Sequence, residues 1–296
     1  MSEKLEFIVP VEYDGKKAIA FLRKYCNLSA RMITQLKRKK DGILMNGKIL
    51  RTVDFTQAGS KVEISLPDEE SNIVPVEGDL DIAFEDEHIL VVNKPPSMPV
   101  HPVKQHQLNT LANIVTYYMK SRGEDYVFRA VNRLDKDTSG LVLIAKNKFC
   151  ANALKNKVSK NYFALCHGKL DFGGTISAPI GLKSDSRIVR HVLDSGTPAI
   201  THYDVICTDS NISFLKLWLE TGKTHQIRCH MSSIGHPLLG DDLYGGSLEL
   251  ISRQTLHCGE MTFIHPVNCN QISVSCCLPE DMQEILDSFA KENKED

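Results

Sequence analysis

The stretch VNRLDKDTSGLVLIA, residues 131–145, sets two carboxylates, Asp135 and Asp137, among basic and hydroxyl side chains, then runs into five apolar residues. A carboxylate with an ordinary pKa near ~3.9 is ionised at neutral pH and can serve as a nucleophile. A polar loop leading into a buried strand is where functional side chains are often mounted, because the strand fixes the loop. The same composition also suits a plain turn. Thr138 and Ser139 can hydrogen-bond local backbone, and Gly140 can take a positive φ where the strand begins. Spacing alone chooses neither between the two aspartates nor between chemistry and scaffolding.

A second stretch, KTHQIRCHMSSIG (223–235), joins His225, Arg228 and His230 to one apolar helical stripe of Ile227, Met231 and Ile234, with Gly235 placed to stop the helix. Two histidines four apart without a glutamate at zinc spacing are poor metal ligands, and packing or phosphate contact suits them better. The nine cysteines form no CxxC pair. Cys269, Cys276 and Cys277 lie near His257 and His265, but a zinc site needs four convergent ligands, so reduced, packed thiols are expected. A glycosidase would need a second acid at a defined separation, and Asp137 is too close in sequence to serve.

The elements that must hold these residues can be outlined from pattern. Ile89–Val92 is a short buried strand stopped by Asn93-Lys94-Pro95-Pro96, and a helix follows Thr110 with Leu111, Ile114, Val115 and Tyr118 at helical spacing. Strands are predicted around 141–145, 162–166, 200–207 and 212–219, with Leu215, Leu217 and Leu219 on one face of the last and Phe214 and Trp218 on the other. The fold expected is α+β, a mixed and largely antiparallel sheet with flanking helices. At 296 residues the chain can bury a real core as one large or two unequal domains. No apolar run reaches the ~20 residues of a membrane span, and MSEKLEFIVP does not read as a secretion signal, so a cytoplasmic, monomeric protein without membrane contact is expected.

The net charge of −2 conceals an asymmetry. Residues 16–66 carry 12 Lys/Arg against 3 Asp/Glu, while residues 67–87 carry 9 Asp/Glu and no Lys/Arg. Such a split points to a nucleic-acid-facing module beside a different segment, although the basic run by itself reads first as a solvated helix end. After Ser29, the expected N-cap, Met32, Ile33 and Leu36 mark a helix ending in Lys37-Arg38-Lys39-Lys40. Asn46-Gly47 then makes a hairpin turn, and Val62, Ile64 and Leu66 alternate as a closing strand. Together these elements resemble the alpha-L type RNA-binding domain. The resemblance implies that Arg31, Lys37, Arg38, Lys39 and Lys40 contact phosphates, a salt-sensitive affinity without sequence choice.

RLDKDTSGL resembles the RLDxxTSGL signature of RluA-type RNA pseudouridine synthases. Further blocks follow in the family's order: ILVVNKPPSMPVHP (89–102), KNYFALCHG (160–168), GTPAITHYDV (196–205), LETGKTHQIRCHMSSIGHPLLGDDLYG (219–245) and LHCGEMTFIHP (256–266). The resemblance implies an isomerase that turns uridine in RNA into pseudouridine with one catalytic aspartate, here Asp135, and with no metal or cofactor. It pairs Arg228 with that aspartate, sets Tyr162 against the target base and lets Arg133 enter the gap the base leaves. Lys223 and His225 then become RNA contacts.

Two positions depart from the family pattern. Asn132 stands where many members have histidine and cannot titrate near neutrality. Lys223 stands where arginine is common, which keeps charge but loses bidentate geometry. The domains expected are 1–66 for RNA binding, 67–87 as an acidic linker and 88–296 for catalysis. Large-subunit ribosomal RNA is the favoured substrate by analogy, with a tRNA-specific synthase or a non-catalytic ribosome-assembly factor as alternatives.

Overall fold

A computed structural model describes residues 4–66, 71–103, 105–124, 127–184, 186 and 188–292. The first unit comprises β1 (Lys4–Ile8), α1 (Ala18–Ala20), α2 (Ala30–Leu36), β2 (Ile43–Met45), β3 (Lys48–Ile49) and β4 (Lys61–Ser65), with an antiparallel sheet ordered β1-β4-β2-β3. Ser29 caps α2 by accepting the Met32 N–H at 3.1 Å. Asn46 and Gly47 both take positive φ, 49° and 76°, as a two-residue hairpin turn demands. Met32, Ile33, Leu36, Val62, Ile64 and Leu66 are buried together. That core runs on into Ala145, Phe149 and Cys150 of the second unit, where Phe7 meets Phe149 edge-to-face at 5.8 Å.

A strand of the large sheet lies within the acidic segment 67–87. The acidic segment's residues 67–70 lie outside the described residues, but β5 (Ile82–Glu85) pairs with β6 (Ile89–Lys94) and so extends the large sheet. Glu85 gives one acidic residue of that segment a structural use. It takes the Lys146 ammonium at 2.6 Å and the Tyr118 hydroxyl at 2.6 Å, which hold its carboxyl below the ordinary range despite the opposing push of burial.

The remaining elements are α3 (Leu111–Ser121), β7 (Ser139–Ala145), α4 (Lys148–Leu154), β8 (Ser159–His167), β9 (Gly174–Ser177), β10 (Ile180–Leu182), β11 (Arg190–Val192), β12 (Ile200–Thr208), β13 (Ile212–Leu219), α5 (Gln226–Ser233), β14 (Leu256–Ile264), β15 (Gln271–Ser275) and α6 (Glu280–Glu292). The order in the large sheet is β5-β6-β7-β14-β8-β13-β12-β9, with β15 beside β14. Only β7 and β14 pair in parallel among the described strands. The expected mixed, largely antiparallel α+β fold is therefore what forms.

Every residue of β7 is buried, which is why its sequence from Leu141 on is a continuous apolar run instead of an alternating one. Alternation returns in β13. Leu215 and Leu217 join the main core, whereas Phe214 faces a separate cluster with Leu165 and Met282 of α6. Thr110 and Asn113 form a reciprocal capping box that starts α3 where the sequence placed it.

Candidate active site

The site forms where the parallel pair β7 and β14 begins. Asp135 sits in the loop before β7, Tyr162 lies in β8 opposite Cys258 of β14, and Arg228 projects from α5. The loop is held closely. Gly140 has φ 110°, and a Cβ there would fall 2.3 Å from the Cys258 carbonyl oxygen, so only glycine lets the two strands meet. Thr138 and Ser139 were expected to bond local backbone; instead they reach across to the start of β14. Thr138 Oγ1 accepts from Gln254 at 3.2 Å and Ser139 Oγ lies 3.0 Å from His257 Nδ1.

Asn132 is fully used by the strand it precedes. Its amide nitrogen donates to Leu141 O at 3.1 Å and its oxygen accepts from Leu143 N at 2.8 Å. Together with the bonds from Val131 N to Leu143 O and from Ala145 N to Arg129 O, this lays residues 129–132 along the edge of β7. Asn132 thus positions the loop and has no titrating group with which to move a proton. Asp137 contributes its carbonyl, which accepts from Arg253, while Arg253 grips Asp281 of α6 with two bonds of 2.6 and 2.7 Å.

Lys94 and Asp241 had no role assigned from sequence, although both lie inside blocks that resemble the family's. Lys94 is wholly buried and donates to Pro95 O at 2.7 Å and to Lys136 O at 3.0 Å, next to Asp135. Burial draws its amine down to about 7, against the pull of Asp137 and Asp135. Asp241 is the principal partner of Arg228. Its two oxygens accept from Nε and Nη2 at 2.7 Å each, leaving Nη1 3.3 Å from Asp135 Oδ2. Burial alone would lower the Arg228 guanidinium, but the Asp241 bonds and the Asp135 charge outweigh it and raise it. A guanidinium that fixed can orient the 29 % exposed Asp135 carboxylate.

The cleft above Asp135 is walled by Tyr162, Leu134 and Ile227 and rimmed by Arg133, Lys223 and His225. Tyr162 is 7 % exposed. Burial, the neighbouring Cys258 and the Asp135 charge push its hydroxyl well above the ordinary tyrosine value, so it stays a phenol. Arg133 and Lys223 are exposed. His225 is half-buried, with Nε2 3.7 Å from Asp135 Oδ2. His230 is structural: its ring nitrogens meet Thr201 Oγ1 at 2.8 Å and Ala178 O at 2.9 Å. In the first unit Arg31, Lys37, Arg38 and Lys40 line the surface, while Lys39 turns back to the Leu66 carbonyl at 3.2 Å. Among the described residues no three His, Cys, Asp or Glu side chains converge as a metal site would require.

An aspartate in contact with a buried arginine, beside a buried tyrosine and with Arg133 and Lys223 exposed at the same cleft, is the arrangement the structure presents. Comparisons with known proteins give the family. The family model described as RNA pseudouridylate synthase matches residues 88–233. An uncharacterized RNA pseudouridine synthase, YjbO of Bacillus subtilis strain 168, is 37% identical over 88% of this chain and 94% of its own. The ribosomal large subunit pseudouridine synthase D of Pseudomonas aeruginosa is 36% identical over 86% of each chain. Among solved structures, human RNA pseudouridylate synthase domain containing 1 superposes with a TM-score of 0.56 at 25% identity, covering 72% of this chain and 95% of the human one. The chain belongs to the RluA-type RNA pseudouridine synthase family, isomerases that convert uridine in RNA to pseudouridine.

Proposed function

We propose that Asp135 is the catalytic carboxylate of this isomerase and that its substrate is large-subunit ribosomal RNA. The observation that carries the first part is the Asp135–Arg228–Asp241 array. A buried guanidinium already neutralised by Asp241 spends its last nitrogen on a partly exposed aspartate at the floor of the cleft. The reaction breaks the bond from the ribose anomeric carbon to uracil N1, turns the base and joins the same carbon to C5. The C5 hydrogen leaves and N1 gains one, so the atoms balance without an oxidant or reductant.

The roles follow from position. The target uridine must leave its stack, at a cost of a few kcal/mol. Arg133, exposed at the rim two residues from Asp135, offers a cation and a stacking plane to fill the gap. Tyr162 gives the base an aromatic wall, and Lys223 gives the backbone a charge. The first unit acts as an alpha-L type RNA-binding domain through Arg31, Lys37, Arg38 and Lys40 on its surface. Support for ribosomal RNA is the set of relatives named as ribosomal large subunit synthases. A binding-only assembly factor would have no use for the Asp135, Tyr162 and Arg228 combination.

The test is to incubate the protein with transcribed large-subunit ribosomal RNA and with tRNA, then map pseudouridines chemically. New sites in the ribosomal transcript are expected. Sites in tRNA alone would overturn the substrate, and none in either would overturn the assignment of activity.

A further inference from the structure

His225 occupies the left-handed region, φ 56° and ψ 21°, immediately before α5. Few residues other than glycine adopt that conformation, and those that do cluster at functional sites. Gln226 makes the turn rigid. Its oxygen accepts from Lys223 N at 3.0 Å and Thr221 Oγ1 at 2.9 Å, and its nitrogen donates to Ile200 O at 2.9 Å and Thr201 Oγ1 at 3.1 Å. The imidazole is thereby fixed between two partners, with Nδ1 3.0 Å from Tyr244 Oη and Nε2 3.7 Å from Asp135 Oδ2.

The bonding of Tyr244 decides where the imidazole proton sits. Tyr244 Oη accepts the Arg190 backbone N–H at 2.9 Å. Its single hydrogen then has His225 Nδ1 as its acceptor among the described residues. In the other tautomer the phenol would accept twice and leave its own hydrogen unused inside the protein. The neutral imidazole therefore carries its hydrogen on Nε2, facing Asp135.

We infer that Tyr244 and His225 act as a tautomer clamp, directing an Nε2–H at Oδ2 of Asp135 so that this oxygen is held by His225 and Arg228 and Oδ1 is left to meet the substrate. The inference rests on the reading of Asp135 as the catalytic carboxylate. Arg228 Nη1 falls on the same Oδ2, at 3.3 Å, and no side chain or amide among the described residues donates to Oδ1. Tyr244 ties the two donors together, since the Arg228 guanidinium lies 5.0 Å from its ring centroid and the His225 ring stands edge-on to it at 5.7 Å. The 3.7 Å separation is longer than a hydrogen bond, and the clamp requires it to shorten when RNA fills the cleft.

Neutrality of His225 is part of the device, because an imidazolium would tie up the carboxylate as a salt bridge. Burial holds it below the ordinary histidine value. Asp135 and Asp241 oppose that, while the Arg228 and Arg190 guanidiniums reinforce it. Tyr244, the remaining titratable neighbour, is pushed by burial up to about 12 and stays protonated.

Long-range proton–nitrogen spectra of 15N-labelled protein read the tautomer directly, with the His225 signals assigned by their loss in His225→Gln. The expected wild-type spectrum shows an Nε2–H imidazole from pH 7 to 8. In Tyr244→Phe the tautomers mix and the acid limb of the single-turnover rate moves up by about one pH unit, because Nδ1 is free to take a proton. His225→Gln, whose amide reaches the same place, keeps the rate within about tenfold with RNA affinity unchanged, whereas His225→Ala loses about a hundredfold. An Nδ1–H tautomer, or a Tyr244→Phe pH profile superimposable on wild type, would overturn the clamp; so would a His225→Ala variant with raised Kd and unchanged rate. Activity in Asp135→Asn would instead overturn the underlying reading, and the tautomer measurement stands apart from that result.

Discussion

Arg228 is held more firmly by Asp241 than by Asp135: two bonds of 2.7 Å to the first, one contact of 3.3 Å to the second. The guanidinium is thus oriented before RNA arrives. Asp241→Asn removes one acceptor and leaves a buried charge without compensation, a change that costs about 3–5 kcal/mol in comparable pairs. The expected outcome is a lower Tm together with a fall in kcat exceeding any change in RNA affinity, measured by thermal melts and single-turnover kinetics. An unchanged Tm and kcat would remove Asp241 from the account.

Lys94 offers a pH test with a definite sign. Its folded value is drawn down to about 7, below the ordinary lysine value, so between those two pH values the unfolded chain binds the extra proton. Stability from this group therefore rises with pH above 7 and is lost as pH falls toward 7. Lys94→Met deletes both the titration and the bonds to the Pro95 and Lys136 carbonyls. The difference between wild-type and variant stability should grow from pH 7 to 10 in chemical denaturation, and the variant's kcat should drop at every pH. A difference that does not vary with pH contradicts this assignment.

Asn132 replaces a histidine common in the family, and its amide is committed to β7 on both sides. Asn132→Ala leaves strand groups unpaired, at a cost of about 1–3 kcal/mol. A reduced Tm with a pH–rate profile of unchanged shape is expected. A shifted profile would show that this position moves a proton after all.

The surface cations of the first unit can be removed without disturbing its core. Replacing Arg31, Lys37, Arg38 and Lys40 with glutamine should weaken RNA binding, and the slope of log K against log salt should fall by about 0.7 for each phosphate no longer neutralised. Deletion of residues 1–66 is a poorer test, because Phe149 and Cys150 would be stripped of the apolar partners that bury them. An unaltered salt slope would place RNA binding elsewhere.

The elements were legible where a local pattern caused them. The α2 cap at Ser29, the Asn46-Gly47 turn, the Thr110 cap and the alternation in β13 all arose from bonds or faces within a few residues. Strand β5 was hidden, because its pairing with β6 depends on a partner and not on the acidic composition around it. The same division holds at the site. Asp135, Tyr162 and Arg228 fall together in one cleft as the family resemblance implied. Asp241, Tyr244 and Lys94 were silent because their roles are bonds to residues 13, 19 and 42 positions away. GDDLYG and NKPP stand inside blocks that resemble the family's, and that placement was the signal that could have found them. The spacing of His225 leaves packing and phosphate contact open, because no spacing reveals the left-handed backbone that sets its ring beside Asp135.

The central claim is that Asp135 performs the isomerisation, and the C5 hydrogen reports it. A transcript of the target RNA labelled with tritium at uridine C5 must release its label when the anomeric carbon takes that position. With enzyme in excess, wild-type protein should release one tritium per modified uridine, while Asp135→Asn should bind the same RNA with similar affinity and release none. Release at the wild-type rate by Asp135→Asn would contradict the account.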